Sequence, residues 1–234
     1  MNNLQERIAQ IDWSHVTQQL HDHGHALVPQ LLHNTETSEL VDFYHQPQHF
    51  RKKIIMERYR FGLGEYQYFQ YPLPAILQNI RENVYTHLAP VANTWMKVLQ
   101  IPQQYPATLQ QLHEQCTAAG QDLPAVLILK YGIGGHNTLH QDLYGDVYFP
   151  LQVVLFLNED YEGGEFVLTQ QTPRAQSKVT VLSPRCGDML IFTTNFKPVK
   201  SVKGYYRAHM KHGVSEVRSG QRYALGIIFH DAKT

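Results

Sequence analysis

His140-Gln141-Asp142 sets an imidazole and a carboxylate two positions apart, ahead of the apolar run "FPLQVVLFLN" at 149–158. On extended backbone, residues two apart point to one side, so the pair could share one metal ion. The plainer reading is a polar turn at the start of a strand, with a surface ion pair. A third donor must come from elsewhere, and His209, His212 and His230 are the late candidates. His212 is favoured because Arg222 follows ten residues later, across what reads as a hairpin: "KHGVSEV", the turn "RSGQ", then "RYALGIIF". Two imidazoles and a carboxylate on one face of an octahedral ion leave three positions open. That suits Fe(II) that must take a chelating cosubstrate and oxygen. Arg222 could grip a carboxylate with both prongs of its guanidinium.

These side chains need a frame. The first half of the chain reads as helical. "LQERIAQIDWSHVTQQLHDHG" at 4–24 has apolar residues at helical spacing and a Gly stop. "NTETSELVDFYHQ" opens on cap residues, and "PATLQQLHEQCTAAG" begins with Pro and ends with Gly. The long segment from Leu73 is amphipathic, with Pro90 as an expected break. From about residue 124 the pattern turns to short runs separated by Gly, Pro, Asn and Asp. "AVLILKYG", "FPLQVVLFLN", "GEFVLTQ", "KVTVLSP", "DMLIFTT" and "RYALGIIFH" are rich in β-branched or aromatic residues, and suggest an antiparallel sandwich or barrel. The expected division is a mainly helical region at 1–123 packed on a β-core at 124–234, in one compact unit. "HDHGH" at 21–25 looks like a metal cluster but reads better as helix end, glycine stop and strand start. Gly163 and Gly164 read as turn glycines.

The 234 residues are 43% hydrophobic, enough for one well-packed core. The N-terminus "MNNLQERIAQIDW" carries charges where a signal peptide needs an apolar stretch, and the run at 153–157 is far too short to span a bilayer. Two cysteines without CxxC spacing argue against a disulfide framework or a zinc knot and fit a reducing cytoplasm. Net charge is zero, but unevenly spread. Segments 51–60 and 174–222 hold fifteen basic residues against three acids, Glu57, Asp188 and Glu216. If the two segments meet, with Tyr59, Phe61, Tyr66, Tyr68, Phe69 and Tyr71 beside them, they could attract a phosphate backbone and stack bases. An anionic small molecule or an acidic peptide fits the same charge, and two faces that never meet fit it too. The alternating tyrosines of "GEYQYFQYPLP" at 64–74 suit either a substrate-facing lid or core packing.

Four blocks in this order resemble the Fe(II)/2-oxoglutarate-dependent dioxygenases: "HQD" at 140–142, "LNEDYEGGEFVL" at 157–168, "VLSPRCGDMLIF" at 181–192 and "HGVSEVRSGQR" at 212–222. The resemblance covers roughly 125–230. It implies an α+β chain with a double-stranded β-helix (jelly roll) and an N-terminal helical layer. It implies Fe(II) held by His140, Asp142 and His212, 2-oxoglutarate held by Arg222 with Tyr131 beside it, and oxygen as oxidant. "GEYQYFQYPLP" and "LHQDLYGD" resemble a bacterial oxygenase group described as acting in oxidative demethylation of damaged DNA. "KYGIGGHNTLHQD" looks like alkylation-damage DNA repair dioxygenases. The "GGEF" block and the basic residue ten positions after the distal His look more like prolyl hydroxylases.

The expected activity is therefore hydroxylation of a substrate C–H with release of succinate and CO2. An alkylated nucleic-acid base is the first substrate class, with Tyr66, Tyr68 and Phe69 as the residues to meet it. A prolyl-type hydroxylase of peptides or amino acids is the alternative, and a non-catalytic 2-oxoglutarate and iron sensor is a third reading.

Overall fold

The computed structural model describes residues 3–172 and 176–233. Arg174, counted above among the basic residues, lies outside the described residues. Helix α1 (Leu4–Ala9) opens on a capping box between Asn3 and Glu6, and α2 (Trp13–His23) ends at Gly24 with φ 76°. The stretch expected as one helix is thus two, because the Asp12 side chain accepts from His15 N and caps a second start. Strand β1 (His25–Val28) follows Gly24 directly, as "HDHGH" suggested. Next come α3 (Asn34–Phe43), β2 (Phe50–Ile55), β3 (Gly62–Leu63), β4 (Glu65–Phe69), α4 (Ala75–Val98) and α5 (Leu109–Ala118). The rest is strand: β5 (Val126–Tyr131), β6 (His136–His140), β7 (Leu151–Phe156), β8 (Tyr161–Gly163), β9 (Phe166–Gln170) and β10 (Lys178–Leu182). Then β11 (Met189–Thr193), β12 (Phe196–Ser201), β13 (Gly204–Val214), β14 (Val217–Gly220) and β15 (Arg222–Ile228) complete the order.

Pro90 does not break α4, contrary to expectation. It sits on the exposed side of the helix, where the carbonyl it leaves unbonded can face water. Buried Leu88, Ala89, Val91, Ala92 and Trp95 hold both flanks against the core.

All strand pairs are antiparallel. The large sheet runs β1-β11-β7-β15-β5-β4-β2, and the smaller one β10-β9-β13-β6-β3 with β12 paired to β13. Face to face, they form the double-stranded β-helix. The first 123 residues are not only helical: β1, β2 and β4 extend the large sheet and β3 the small one.

The large sheet is buried on both faces, so its strands read as continuous apolar runs rather than alternating ones. Val126, Ile128, Val153, Leu155, Ile191, Leu225 and Ile227 face the helices, packing with Leu77, Ile80, Val84, Leu88 and Trp95 of α4. The alternate residues Val154, Phe156, Leu190, Phe192 and Ala224 face the small sheet and meet Phe166, Leu168 and Met210. Arg81 ties α4 to the chain after β15. It pairs with Asp231 at 2.7 Å and donates to the carbonyls of Ile228 and Phe229, all in buried surroundings.

Candidate metal and cosubstrate site

Strand alternation decides what lines the space between the sheets. On β15, Arg222, Ala224, Gly226 and Ile228 face inward; on β5, Leu127, Leu129 and Tyr131; on β4, Tyr66 and Tyr68. Together with Phe61, Tyr144, Phe166 and the residues around His140, they enclose a cavity of about 340 Å³. That is the size of a small-molecule site.

The ligand candidates lie on one wall. His140 is the last residue of β6, and His212 on β13 is its direct cross-strand partner, with ring centroids 4.2 Å apart. Asp142 follows in the loop before β7, so the His-Gln-Asp segment ends a strand rather than starting one, a correction to the sequence reading. The loop turns the carboxylate between the rings: Oδ1 lies 3.4 Å from His140 Nε2, and Oδ2 lies 3.2 Å from His212 Nε2. One donor atom from each residue lies within 4.8 Å of the others. Between them, Gln141 donates to Asn195 O and Met210 O, pinning the loop to β13.

The three groups act on one another: burial lowers His140, but the Asp142 carboxylate outweighs it and raises that imidazole. Burial alone would raise Asp142, but the His212 and His140 rings outweigh it and hold the carboxyl well below its ordinary value. Burial pushes His212 down despite the opposing pull of Asp142. His140 Nδ1 lies 2.7 Å from Thr138 O, which fixes the tautomer that leaves Nε2 free as a donor. The alternatives fail on position. His209 lies on the exposed face of β13, and buried His230 accepts from Phe149 N.

Arg222 reaches the cavity from the opposite sheet. The hairpin expected between His212 and Arg222 is absent: β14 intervenes and pairs with β8, and β15 joins the large sheet. Arg222 is 1% exposed, and its guanidinium lies 5.4 Å from the ring centres of Tyr131 and Phe156. No carboxylate among the described residues pairs with it. Arg222 Nε and Tyr131 Oη are buried without a hydrogen-bond partner. Burial, only partly offset by Arg222, pushes the Tyr131 hydroxyl up to about 12. A buried cation costs several kcal/mol unless an anion meets it, so this end of the cavity is built for one. Gly164 permits the approach: a Cβ there would lie 2.7 Å from Arg222 Cδ. The second glycine of "GGEF" is thus more than a turn residue. Arg218, the other arginine of that segment, is exposed and pairs with Glu165.

Among the residues expected to meet substrate, Tyr66 and Tyr68 line the cavity, with rings 5.4 Å apart and nearly perpendicular. Phe69 does not. It alternates to the other face of β4, is fully buried, and packs on Phe43 and Phe50. Two residues that hold Asp142 escaped the sequence reading. Gln152 Nε2 donates to Asp142 Oδ2 at 2.9 Å, and Tyr144 Oη donates to Asp142 Oδ1 at 3.1 Å. Gln152 did leave a signal, being the one polar residue in the fully buried strand β7.

The basic segments do not form one exposed strip. In the second, Lys197 and Arg222 are buried and Arg218 is engaged; in the first, Lys53 pairs with Glu65.

Comparison with known proteins agrees with this geometry. The model of a protein family described as "Oxygenase, catalysing oxidative methylation of damaged DNA" matches residues 64–232. The chain belongs to this oxygenase family. An uncharacterized protein of Mycobacterium tuberculosis is 43% identical over 167 residues, covering 70% of this chain and 72% of that one. Prolyl 3-hydroxylase 2 of Rattus norvegicus is 32% identical over 76 residues, 32% of this chain and 9% of that one. Among solved structures, a prolyl 4-hydroxylase of Phytophthora capsici superposes with TM-score 0.57 at 17% identity, covering 100% of this chain and 67% of that one. A prolyl-4-hydroxylase of Pseudomonas putida gives 0.53 at 14%, covering 95% and 100%. The oxygenase is therefore an enzyme whose fold is that of the 2-oxoglutarate- and Fe(II)-dependent oxygenases. Its donor set and its buried Arg222, which meets no carboxylate among the described residues, fit Fe(II), 2-oxoglutarate and oxygen. No helix among the described residues is long and apolar enough to cross a membrane.

Proposed function

We propose that the protein hydroxylates a C–H bond of an N-alkylated nucleic-acid base, using Fe(II), 2-oxoglutarate and oxygen. The observation that carries the reading is the pairing, across one cavity, of a His-Asp-His triad with a buried arginine that lacks an anion. Bound there, the metal with 2-oxoglutarate and oxygen supplies the oxidising power, and 2-oxoglutarate leaves as succinate and CO2.

The chain's own residues do the rest. His140, Asp142 and His212 hold the ion from one side, leaving the other side open toward the cavity. Arg222 holds the far carboxylate of 2-oxoglutarate, and the Tyr131 hydroxyl donates to the same group. Leu129, Val154, Phe166 and Ala224 keep water from the space between them. Tyr66 and Tyr68 present ring faces to a planar substrate, and Asn137 and Thr138 offer polar groups to its edge. Oxygen inserted at an N-methyl carbon gives N–CH2OH. Its C–N bond then breaks, formaldehyde leaves, and the hydroxyl proton passes to the nitrogen. Such an oxygenase removes a methyl group.

A prolyl-type hydroxylase of peptides is the second reading, favoured by the 76-residue similarity to prolyl 3-hydroxylase 2. Succinate release measured over methylated oligonucleotides, peptides and free amino acids separates the two. Stimulation by peptide alone would overturn the base reading.

A further inference from the structure

The strand that carries His212 continues past the site as an arm. Residues Phe196–Ser201 of β12 pair with Gly204–His209 of β13, leaving Val202 and Lys203 as the turn. β13 pairs with β9 only from Met210 onward and with β6 at His212 and Val214. Among the described residues, Gly204–Ala208 therefore has β12 as its one strand partner. Lys200 through Tyr205 are exposed on both faces, and Val202 is fully exposed. The base of this ribbon is packed, with Phe196, Lys197, Pro198 and Ala208 buried. Its tip stands clear of the body, and a two-stranded ribbon that gains little from burial is marginal by itself. Core packing does not explain the tip.

Its charge is one-signed. From Met189 to Ser215 the chain has no Asp or Glu. Lys200, Lys203, Arg207 and Lys211 are exposed, and none belongs to an ion pair among the described residues. Alternation sets Tyr205, Arg207, His209 and Lys211 in one row on β13, and Lys200, the cross-strand partner of Tyr205, joins that face. Gly204 is eight residues from His212, roughly 27 Å along an antiparallel strand. The row thus leads from the tip to the back of a ligand residue.

We propose that this arm is a docking surface for a nucleic-acid chain, gripping phosphates that flank the reacting nucleotide and stacking a base on Tyr205. The proposal rests on the nucleic-acid reading above. A row of unpaired cations interleaved with an exposed aromatic ring fits a backbone with bases attached. The reacting unit belongs in the cavity; the arm holds what lies beside it.

The test uses the full chain, a fluorescently labelled single-stranded oligonucleotide and a salt series. Lys200→Glu/Lys203→Glu should weaken binding at least tenfold at low salt. It should also flatten the slope of log K against log salt by about 0.7 for each phosphate no longer gripped. Substrate-free 2-oxoglutarate turnover should stay unchanged, and Lys97→Glu, an exposed lysine in the last turn of α4, should bind like the parent chain. Tyr205→Ala should weaken binding with the slope unchanged. If the parent binds and the double variant matches it in affinity and slope, the arm is overturned while the base reading stands. If the arm variant loses oligonucleotide binding but methylated oligonucleotide fails to stimulate succinate release, the arm stands and the base reading falls. Tighter binding to phosphatidylserine vesicles than to oligonucleotide, abolished in the same variant, would overturn the proposal in favour of a membrane surface.

Discussion

Asp142 is the most heavily committed side chain in the cavity: His140 and Tyr144 address one oxygen, His212 and Gln152 the other. Whichever oxygen meets the ion, the other keeps a donor that fixes the plane of the carboxylate. Replacing any of His140, Asp142 and His212 by Ala should abolish Fe(II)-dependent 2-oxoglutarate decarboxylation, with circular dichroism unchanged. His209→Ala should remain active; loss there with activity kept in His212→Ala would reverse the ligand assignment. Gln152→Leu removes only the outer support, so Co(II) affinity measured by titration should fall about ten- to hundredfold. At the other end, Arg222→Ala deletes a charged partner worth about 1.5–3 kcal/mol. The apparent affinity for 2-oxoglutarate should drop roughly ten- to hundredfold, and Arg218→Ala should change it little. The candidate ligands could be picked out because His-x-Asp and a late His suit a chelated ion, although the hairpin that singled out His212 is absent and the structure brings Arg222 to the cavity from the facing sheet. Gln152 and Tyr144 were not, since each acts through Asp142, and only the folded loop brings them to its oxygens.

At the scale of elements, β4 shows how one alternation divides roles. Tyr68 faces the cavity and Phe69 the helices. Tyr68→Ala should lower substrate-stimulated succinate release with a small change in melting temperature. Phe69→Ala should do the opposite, costing about 3–5 kcal/mol of stability by chemical denaturation. Equal losses of turnover in both would mean the strand acts as a unit. Gly164, at φ 63°, leaves the gap that Arg222 fills. Gly164→Ala should raise KM for 2-oxoglutarate while metal affinity holds, because the crowded atom is Arg222 Cδ rather than a ligand. The sequence marked β5, β7, β11 and β15, whose apolar runs follow from burial in the large sheet, and β9 and β10 of the small sheet, but not β6, β8, β12 or β14. It misplaced the partnership of β13 and β15, since a short polar turn between two apolar runs looks the same whether they pair or separate into facing sheets. Pro90 misled for a related reason. Its cost depends on which side of the helix faces water, and only packing decides that.

At the scale of the whole molecule, Arg81 and Asp231 join the helical layer to the end of the large sheet through a fully buried contact. Arg81→Met leaves Asp231 buried with its main partner gone, and should cost about 3–5 kcal/mol by thermal or denaturant unfolding. The large sheet also has an order of assembly written into it. Among the described residues, β1-β11-β7 on one side and β5-β4-β2 on the other are joined in the sheet only through β15, which follows all of them in sequence. As the polypeptide leaves the ribosome, two half-sheets with open edges and bare apolar faces must wait for that single strand. Such edges invite pairing with other chains, and slow nonlocal closure lengthens the exposure. A nascent chain halted at Gln221 should therefore be caught by chaperones and should aggregate on release, whereas addition of the final segment should restore a soluble, protease-resistant product in pulse-labelled translation.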